Sequence, residues 1–296
     1  GKHSTHWQWR SDPTLANYKP HVTSMKRIPI VLLLSLSTLL GQAPNNTSET
    51  LPREQRSRRP PPVISPEVAE DQKVTFRVQT AKADEVLLRG QWSKEPAKMT
   101  KGDNDVWSAT VGPVEPGVWE YSFVVDGLAM IDPGNTAIKP MRSPRTSILH
   151  LPGSPPLIHD FQEVPHGTVH THAYRSKSLG SLREVAVYTP PGYARQADAA
   201  FPTMYLQHGS GDNHATWTAH GKAHWILDNL IAQKKAVPMV IVMMNGHAAS
   251  ERGKNTESFE RDLLEDVLPF IESRYRVKRD AANRCLVGLS MGGGQS

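Results

Sequence analysis

The chain has 296 residues, enough for two ordinary domains or one large one. Hydrophobic residues make up 38% and charged residues 21%, which is typical of a soluble globular protein with polar connecting segments. Much of the net charge of +5 comes from lysines and arginines near the start, and basic residues beside prolines are typical of a solvated linker, so we expect no nucleic-acid partner. A single cysteine, Cys285, excludes an internal disulfide, and its apolar neighbours predict a buried side chain.

The first 62 residues divide into three segments. Residues 1–24 show no apolar periodicity, and we interpret them as upstream sequence foreign to the native protein. Residues 25–43 have the pattern of a signal peptide: a basic start, 13 mostly apolar residues, then small residues. The run is short for a bilayer span, so we expect a secreted or periplasmic protein without a stable membrane anchor, the alternative being an anchor or a core helix. Residues 44–62 predict a disordered linker.

Residues 63–153 contain short stretches of alternating apolar and polar residues, separated by turn residues. The stretches are residues 74–78, 85–89, 107–111 and 119–125. This spacing predicts an antiparallel β-sandwich. The tract 119–127, followed by Asp132 and Pro133, resembles the early-set, immunoglobulin-like domains found beside glycogen-branching enzymes and some esterases.

Three tryptophans in this β-rich domain allow two interpretations. Trp92, Trp107 and Trp119 are either core residues, which is the commoner placement, or exposed platforms that stack on sugars. The second interpretation predicts a glycan contact by the β-sandwich.

Residues 154–296 alternate strands with helices, which predicts an α/β fold with a mostly parallel, incomplete sheet. A hairpin is expected at its start, and Ser258 is expected to cap a helix that Pro269 then kinks or splits. The expected strands are residues 167–174, 183–189, 203–207, 239–244 and 284–287, and the expected first helix is 223–235.

A glycine-serine turn follows the last expected strand. Gly288, Ser290 and Gly292 match the pattern G-x-S-x-G, with an apolar strand before it and small residues after it. In this context the serine lies on a sharp strand-to-helix turn that exposes its hydroxyl. We therefore predict that Ser290 is a catalytic nucleophile, the alternative being a glycine-rich turn without chemistry.

Acyl transfer also needs backbone donors aimed at the developing oxyanion. One expected donor is the amide of Met291, directly after the nucleophile, and the other lies in the loop after the third strand of this segment. That loop is residues 208–212, in which Ser210 is the candidate donor and Gly211 the fallback, unless the loop is a plain glycine turn.

Five motifs occur in order along this segment: residues 187–193, 205–212, 245–246, 266–272 and 288–293. Through them residues 157–296 resemble the esterase-D, enterochelin-esterase and feruloyl-esterase branch of the α/β-hydrolases. The resemblance implies hydrolysis of small-molecule or polysaccharide esters, such as feruloyl or acetyl esters of xylan, and implies no cofactor. Asp212 and Trp217 are close enough in sequence to the oxyanion loop to line a substrate cleft, although Trp217 is as readily a core residue.

The chain departs from this family after the serine. The triad order in α/β-hydrolases is serine, acid, histidine, yet the six residues after Ser290 include no Asp, Glu or His. We therefore expect the chain to be a C-terminally truncated part of a longer protein, without esterase turnover as given.

Histidines upstream offer a different site. His208, His214, His220 and His224 cluster in sequence, and His170 and His172 share one face of an expected strand. No paired cysteines or H-E-x-x-H pattern accompanies them, so we expect no metal site.

Two functions compete with hydrolysis. One is a carbohydrate-binding or scaffold protein acting through the β-sandwich. The other is acyl transfer, as in the related mycolyl-transferases.

Overall fold

The computed structural model describes residues 62–249, 251 and 253–296. Nine short strands form its first part. They are β1 (Glu67–Val68), β2 (Val74–Gln79), β3 (Val86–Gly90), β4 (Ala97–Lys98), β5 (Thr100–Lys101), β6 (Val106–Val111), β7 (Gly117–Val125), β8 (Leu128–Met130) and β9 (Ser147–Leu151). They pair antiparallel in two sheets, of order β1-β2-β6-β5 and β4-β3-β7-β8. β9 pairs with the first half of β7, from Gly117 to Tyr121, opposite β3. The expected strands of this region are therefore present.

The two sheets share one core because alternate side chains of each point to the other. In β2, Val74, Phe76 and Val78 are buried. Phe76 meets Tyr121 of β7 edge-on, with 4.7 Å between the ring centroids, a favoured aromatic geometry. The structure thus shows two packed antiparallel sheets, while the immunoglobulin-like assignment stays a prediction.

The tryptophans contribute to that core. Trp107 is buried within it, and Trp92 and Trp119 pack against it but remain partly exposed to solvent. Trp92 also stacks on Phe76 at 5.4 Å.

A five-stranded sheet follows. Its strands are β10 (Thr168–Ser176), β11 (Ser181–Thr189), β12 (Thr203–Gln207), β13 (Val240–Met244) and β14 (Arg284–Gly288), in the order β10-β11-β13-β12-β14. Only the pairs β12–β13 and β12–β14 are parallel, whereas β10–β11 and β11–β13 are antiparallel. The expectation of a mostly parallel sheet was therefore wrong for the described strands, because a tight hairpin joins β10 to β11 and a hairpin can only be antiparallel.

Helices cover both faces of this sheet. They are α1 (Thr216–Ala219), α2 (Ala223–Ala232), α3 (Asn255–Arg261), α4 (Leu268–Arg274) and α5 (Met291–Gly294), with a π-helical turn at Asp262–Val267. Leu227 of α2 packs on one sheet face, and α3 to α4 pack on the other. Every residue of β13 is buried, as expected for a strand covered on both sides.

The helix around residues 255–274 differs from the expectation at its start. Ser258 lies inside α3 and is not its cap, because the helix begins three residues earlier. Buried Phe259, Leu263, Val267 and Ile271 recur every four residues. That spacing drifts about 40° per step around an α-helix, and the wider π turn offsets part of the drift, so all four side chains reach the core. Pro269 is the second residue of α4 and follows directly after that π turn.

Cys285 is exposed, contrary to the prediction of a buried side chain. It lies on β14, which is the edge of the described sheet, and it shares an open face with exposed Val287. Apolar neighbours in sequence predict burial only where another element covers that face of the strand.

The described residues fall in one compact unit, within which the expected domain limits of 63–153 and 154–296 stay predictions. No helix in the described ranges is long and apolar enough to cross a bilayer. The interpretations of residues 1–24, 25–43 and all but the last residue of 44–62 concern residues outside those that the structure describes.

Candidate active site

The carboxyl ends of β12 and β14 lie side by side. The two strands are parallel, with Gln207 in register with Gly288. The turn after β12 therefore meets the turn after β14, and the Leu289 N–H donates to the Gln207 carbonyl at 3.2 Å. The carboxyl ends of parallel strands are where α/β sheets usually bind ligands.

Ser290 occupies the turn between β14 and α5. Its φ of 54° and ψ of −114° lie in a region that residues other than glycine rarely adopt. The residue is exposed, and α5 begins at Met291. The serine thus stands clear of the sheet at a strained strand-to-helix turn, as the G-x-S-x-G pattern predicts.

Two glycines permit this turn because backbones approach closely there. A Cβ on Gly288 would come within 2.1 Å of the Gly292 carbonyl carbon. A Cβ on Gly292 would come within 2.7 Å of the Gln207 carbonyl oxygen. Neither obstacle is a flexible side chain, so these positions exclude any residue larger than glycine without backbone movement.

The loop after β12 lies against Ser290. A Cβ built on Gly209 would be 3.7 Å from the Ser290 Cβ, which is ordinary contact. Ser210 next to it is exposed. The N–H of Gly211, the fallback donor, already donates to His247 Nε2 at 3.3 Å. The amide of Met291 is the first of α5, so it has no acceptor within the helix.

His247, which the sequence analysis did not single out, follows β13 and faces this loop. Burial and the nearby His208 lower the pKa of His247 to about 4. The ring is therefore neutral at neutral pH and its Nε2 can accept the Gly211 hydrogen bond. His247 comes close to residues 208–212 because β12 and β13 are neighbouring parallel strands. Their pairing cannot be read from the sequence.

Asp212 is buried and pairs with the β-rich part of the chain. Lys139 Nζ lies 3.2 Å from its Oδ1 and 2.9 Å from Glu120 Oε1. Hydrogen bonds to the paired carboxylates outweigh burial and keep the pKa of Lys139 raised. The Arg142 N–H also donates to the Gly211 carbonyl at 2.9 Å. Residues 139–142 therefore hold the loop that follows β12.

The two candidate cleft residues thus have structural partners. Asp212 is committed to Lys139, and Trp217 is half-buried against the core that contains Leu206 and Leu227. A contact of either residue with substrate stays a prediction.

The sequence cluster of histidines is dispersed. His208 is buried, its Nδ1 donates to the Gly209 carbonyl at 2.8 Å, and its Nε2 accepts the Gly246 N–H at 2.9 Å. His214 and His220 lie 3.8 Å from Glu184 and 3.7 Å from Glu120. The rings of His208, His214 and His220 therefore contact different partners.

Comparison with known proteins adds to this geometry. Residues 176–296 match a family model described as putative esterase. An endo-1,4-beta-xylanase/feruloyl esterase of Xylanibacter ruminicola is 34% identical over 230 residues, covering 74% of this chain and 31% of the relative. Among solved structures, an enterobactin esterase from Shigella flexneri is 17% identical with a TM-score of 0.55, covering 75% of this chain and 64% of that one.

A ferulic acid esterase from Anaeromyces mucronatus is 24% identical with a TM-score of 0.43, covering 47% of this chain and 56% of that one. The chain thus spans about a third of the curated relative and less than two thirds of these two structures. Its likeness to the enterobactin esterase shows a shared fold. Residues 176–296 are therefore similar to a family of putative esterases.

Proposed function

We propose that this chain carries the nucleophile and the oxyanion donors of a serine carboxylic-ester hydrolase. Ser290 is the nucleophile. The backbone of Ser290, held in a strained turn against the loop at Gly209, is the observation that supports this role most directly. Strain of this kind persists where the surrounding structure over-determines it, as it does at catalytic turns.

The reaction would proceed by acyl transfer to the serine. The Ser290 hydroxyl attacks the ester carbonyl while a base takes its proton, and the amides of Met291 and Ser210 donate to the oxyanion of the tetrahedral intermediate. Collapse of that intermediate releases the alcohol and leaves an acyl-enzyme, which water then hydrolyses.

The base and its orienting acid are not among the residues after Ser290. We propose that a histidine and an acidic residue outside these 296 residues complete the triad. The 296-residue chain alone would then have no turnover, because an unassisted serine hydroxyl is a weak nucleophile.

The substrate class that the comparisons favour is an aromatic acyl ester of a polysaccharide. The support is the relative at 34% identity, whose name includes feruloyl esterase. Acetyl esters of xylan and enterochelin-type esters belong to the same proposal.

Acyl transfer to a sugar, in the manner of mycolyl-transferases, is distinguished by product analysis with sugar added as acceptor. Secretion, through residues 25–43, fits a polymeric substrate outside the cell.

The test compares two chains on methyl ferulate. One ends at Ser296, and the other continues into the downstream coding sequence as far as the next acid and histidine. We expect turnover from the extended chain only, and its loss in Ser290→Ala. Full activity of the extended S290A chain would refute the nucleophile, whereas serine-dependent turnover by the shorter chain would refute the external triad.

We propose glycan binding as a second role of the β-rich part. A cleft of about 510 Å³ there is lined by Trp92, Trp119, Glu95 and Glu115. Aromatic faces beside carboxylates suit stacking on sugars and hydrogen bonding to their hydroxyls. If the chain is retained on xylan and the Trp119→Ala variant is not, the result would support this role. Equal retention of the parent chain and the variant would exclude the cleft as the glycan-binding site.

A further inference from the structure

Two histidines and an aspartate meet where β9 leads into the segment that precedes β10. His150 lies on β9, and His159 and Asp160 lie in that segment. The His150 Nε2 is 2.8 Å, and the His159 Nε2 3.7 Å, from Asp160 Oδ1. One ligand atom from each residue lies within 4.8 Å of the others, and in the described part of the chain no other group of three potential ligands does so.

The hydrogen bonding of Asp160 leaves one oxygen directed at the histidines. Its Oδ2 accepts the N–H groups of Gly153 and Leu157, at 2.8 Å and 2.6 Å. Its Oδ1 is hydrogen-bonded to His150 Nε2 at 2.8 Å and also faces the His159 ring. The carboxylate itself is buried, and its orientation is fixed by these hydrogen bonds.

The His159 Nε2 is a buried nitrogen without a hydrogen-bond partner. Buried polar atoms are rarely left unpaired, and an unpaired one requires an explanation such as an ion. The side chain of His159 as a whole retains 25% exposure and that of His150 23%, so the group lies close to the protein surface.

The surroundings hold the three ligands in place. Asn229 of α2 donates from its Nδ2 to the carbonyls of Ile158 and Asp160, at 2.8 Å and 2.9 Å. The ring of Trp225 packs beside His150, with 6.0 Å between centroids. Such supporting contacts orient metal ligands in known sites.

We propose that His150, His159 and Asp160 bind a zinc ion that ties β9 to the segment preceding β10. Zinc takes imidazole nitrogen and carboxylate oxygen at about 2.0–2.2 Å in a tetrahedron, whose edges are then about 3.3 Å. The distances of 2.8 Å and 3.7 Å to Asp160 Oδ1 fall on either side of that value, and all three ligand atoms lie within 4.8 Å of one another, so side-chain movements would close them around the ion. Zinc would take the place of the proton in the hydrogen bond between His150 and Asp160, and that proton would be released to solvent. Two nitrogens and one oxygen favour zinc over magnesium or calcium, which prefer oxygen ligands throughout. A water molecule fills the fourth position.

The sequence analysis expected no metal site because it looked for paired cysteines and H-E-x-x-H. Here the ligands are separated by ten residues in sequence, from His150 to Asp160, and only the return of the chain past β9 brings them together.

The experiment measures zinc binding by isothermal titration calorimetry on the whole chain after treatment with EDTA. His159→Ala is the decisive variant, since its Nε2 makes no hydrogen bond whose loss would destabilise the fold. His170→Ala, which removes a half-buried histidine on β10, is the matched control. We expect the parent and the control each to bind one more zinc ion than His159→Ala does. If His159→Ala still binds this ion, its affinity should be about tenfold or more weaker than that of the parent and the control.

A second measurement guards against a folding defect in the variant. Co²⁺ bound in a tetrahedral site gives intense visible absorption, which the parent chain should show and zinc should displace. Zinc should also raise the Tm of the parent but not that of His159→Ala, because a ligand that binds only the folded state stabilises it. Identical zinc stoichiometry and affinity in the parent and His159→Ala, or absence of the cobalt bands in the parent, would overturn the proposal. Neither readout depends on ester turnover.

Discussion

The turn at Ser290 requires glycine at positions 288 and 292, where a Cβ atom would collide with the backbone. Gly292 packs against the backbone of Gln207 and His208, and Gly288 packs against Gly292 itself. In contrast, nothing lies within 4 Å of a Cβ on Gly294, two residues further along. The same residue type is thus required at one position and optional two residues later.

We predict that Gly292→Ala destabilises the chain and Gly294→Ala does not. The alanine methyl at position 292 meets backbone atoms at 2.7–2.8 Å, so the free energy of unfolding should fall by about 1–3 kcal/mol, the usual cost of overpacking. Gly294→Ala should leave it unchanged or raise it by up to about 1 kcal/mol, because alanine favours helix. Urea unfolding followed by tryptophan fluorescence measures both, and equal stability of the two variants would contradict the close approach.

At the scale of elements, the loop after β12 is held by contacts from outside its own sheet. Lys139 bridges Glu120 on β7 and Asp212 in the loop, and Met141 forms an isolated antiparallel bridge with Asp212. The β-rich part therefore supports the loop that carries the candidate oxyanion donor Ser210.

A double-mutant cycle tests this support. Lys139→Gln and Asp212→Asn should couple by about 0.5–3 kcal/mol in the free energy of unfolding, because both side chains are largely removed from solvent. The exposed pair Lys254 and Glu257 is the control, and its coupling should be about 0.5 kcal/mol or less. Coupling at Lys139 no larger than in the control would mean that the bridge contributes nothing.

At the scale of the whole molecule, half-buried histidines contribute to the dependence of stability on pH. Burial lowers the pKa of five described histidines, His172, His214, His220, His224 and His247. For His224 and His247 the pKa falls to about 4, against about 6.5 in an unfolded chain. Between these values the unfolded state binds more protons than the folded state, so stability rises with pH.

We therefore predict that the free energy of unfolding is greatest above about pH 6.5 and declines as the pH falls toward 4. His224→Phe removes one titrating group while keeping a ring beside Trp225. Its loss of stability between pH 7 and pH 4.5 should be smaller than that of the parent by about 1–2 kcal/mol, after allowance for solvent screening. Urea unfolding at several pH values measures this, and parallel curves for the two proteins would exclude His224 as a source.

Most local structure, and the serine turn, could be predicted from the sequence because their causes are local. Alternation produced β2, β3, β6 and β7, and G-x-S-x-G placed Ser290 between a strand and a helix. Which strands are neighbours was decided only in the tertiary structure. The pairing of β12 with both β13 and β14 brings Gly209, His247 and Ser290 to one edge of the sheet.

The same cause explains what the sequence analysis missed or had wrong. Lys139 reaches Asp212, and His150 reaches Asp160, through contacts between elements that no periodicity encodes. Cys285 is exposed because no described element covers its face of β14, although its neighbours in sequence are apolar. Short-range patterns determine where strands, helices and tight turns form, whereas burial and side-chain partners depend on which surfaces meet after the chain has folded.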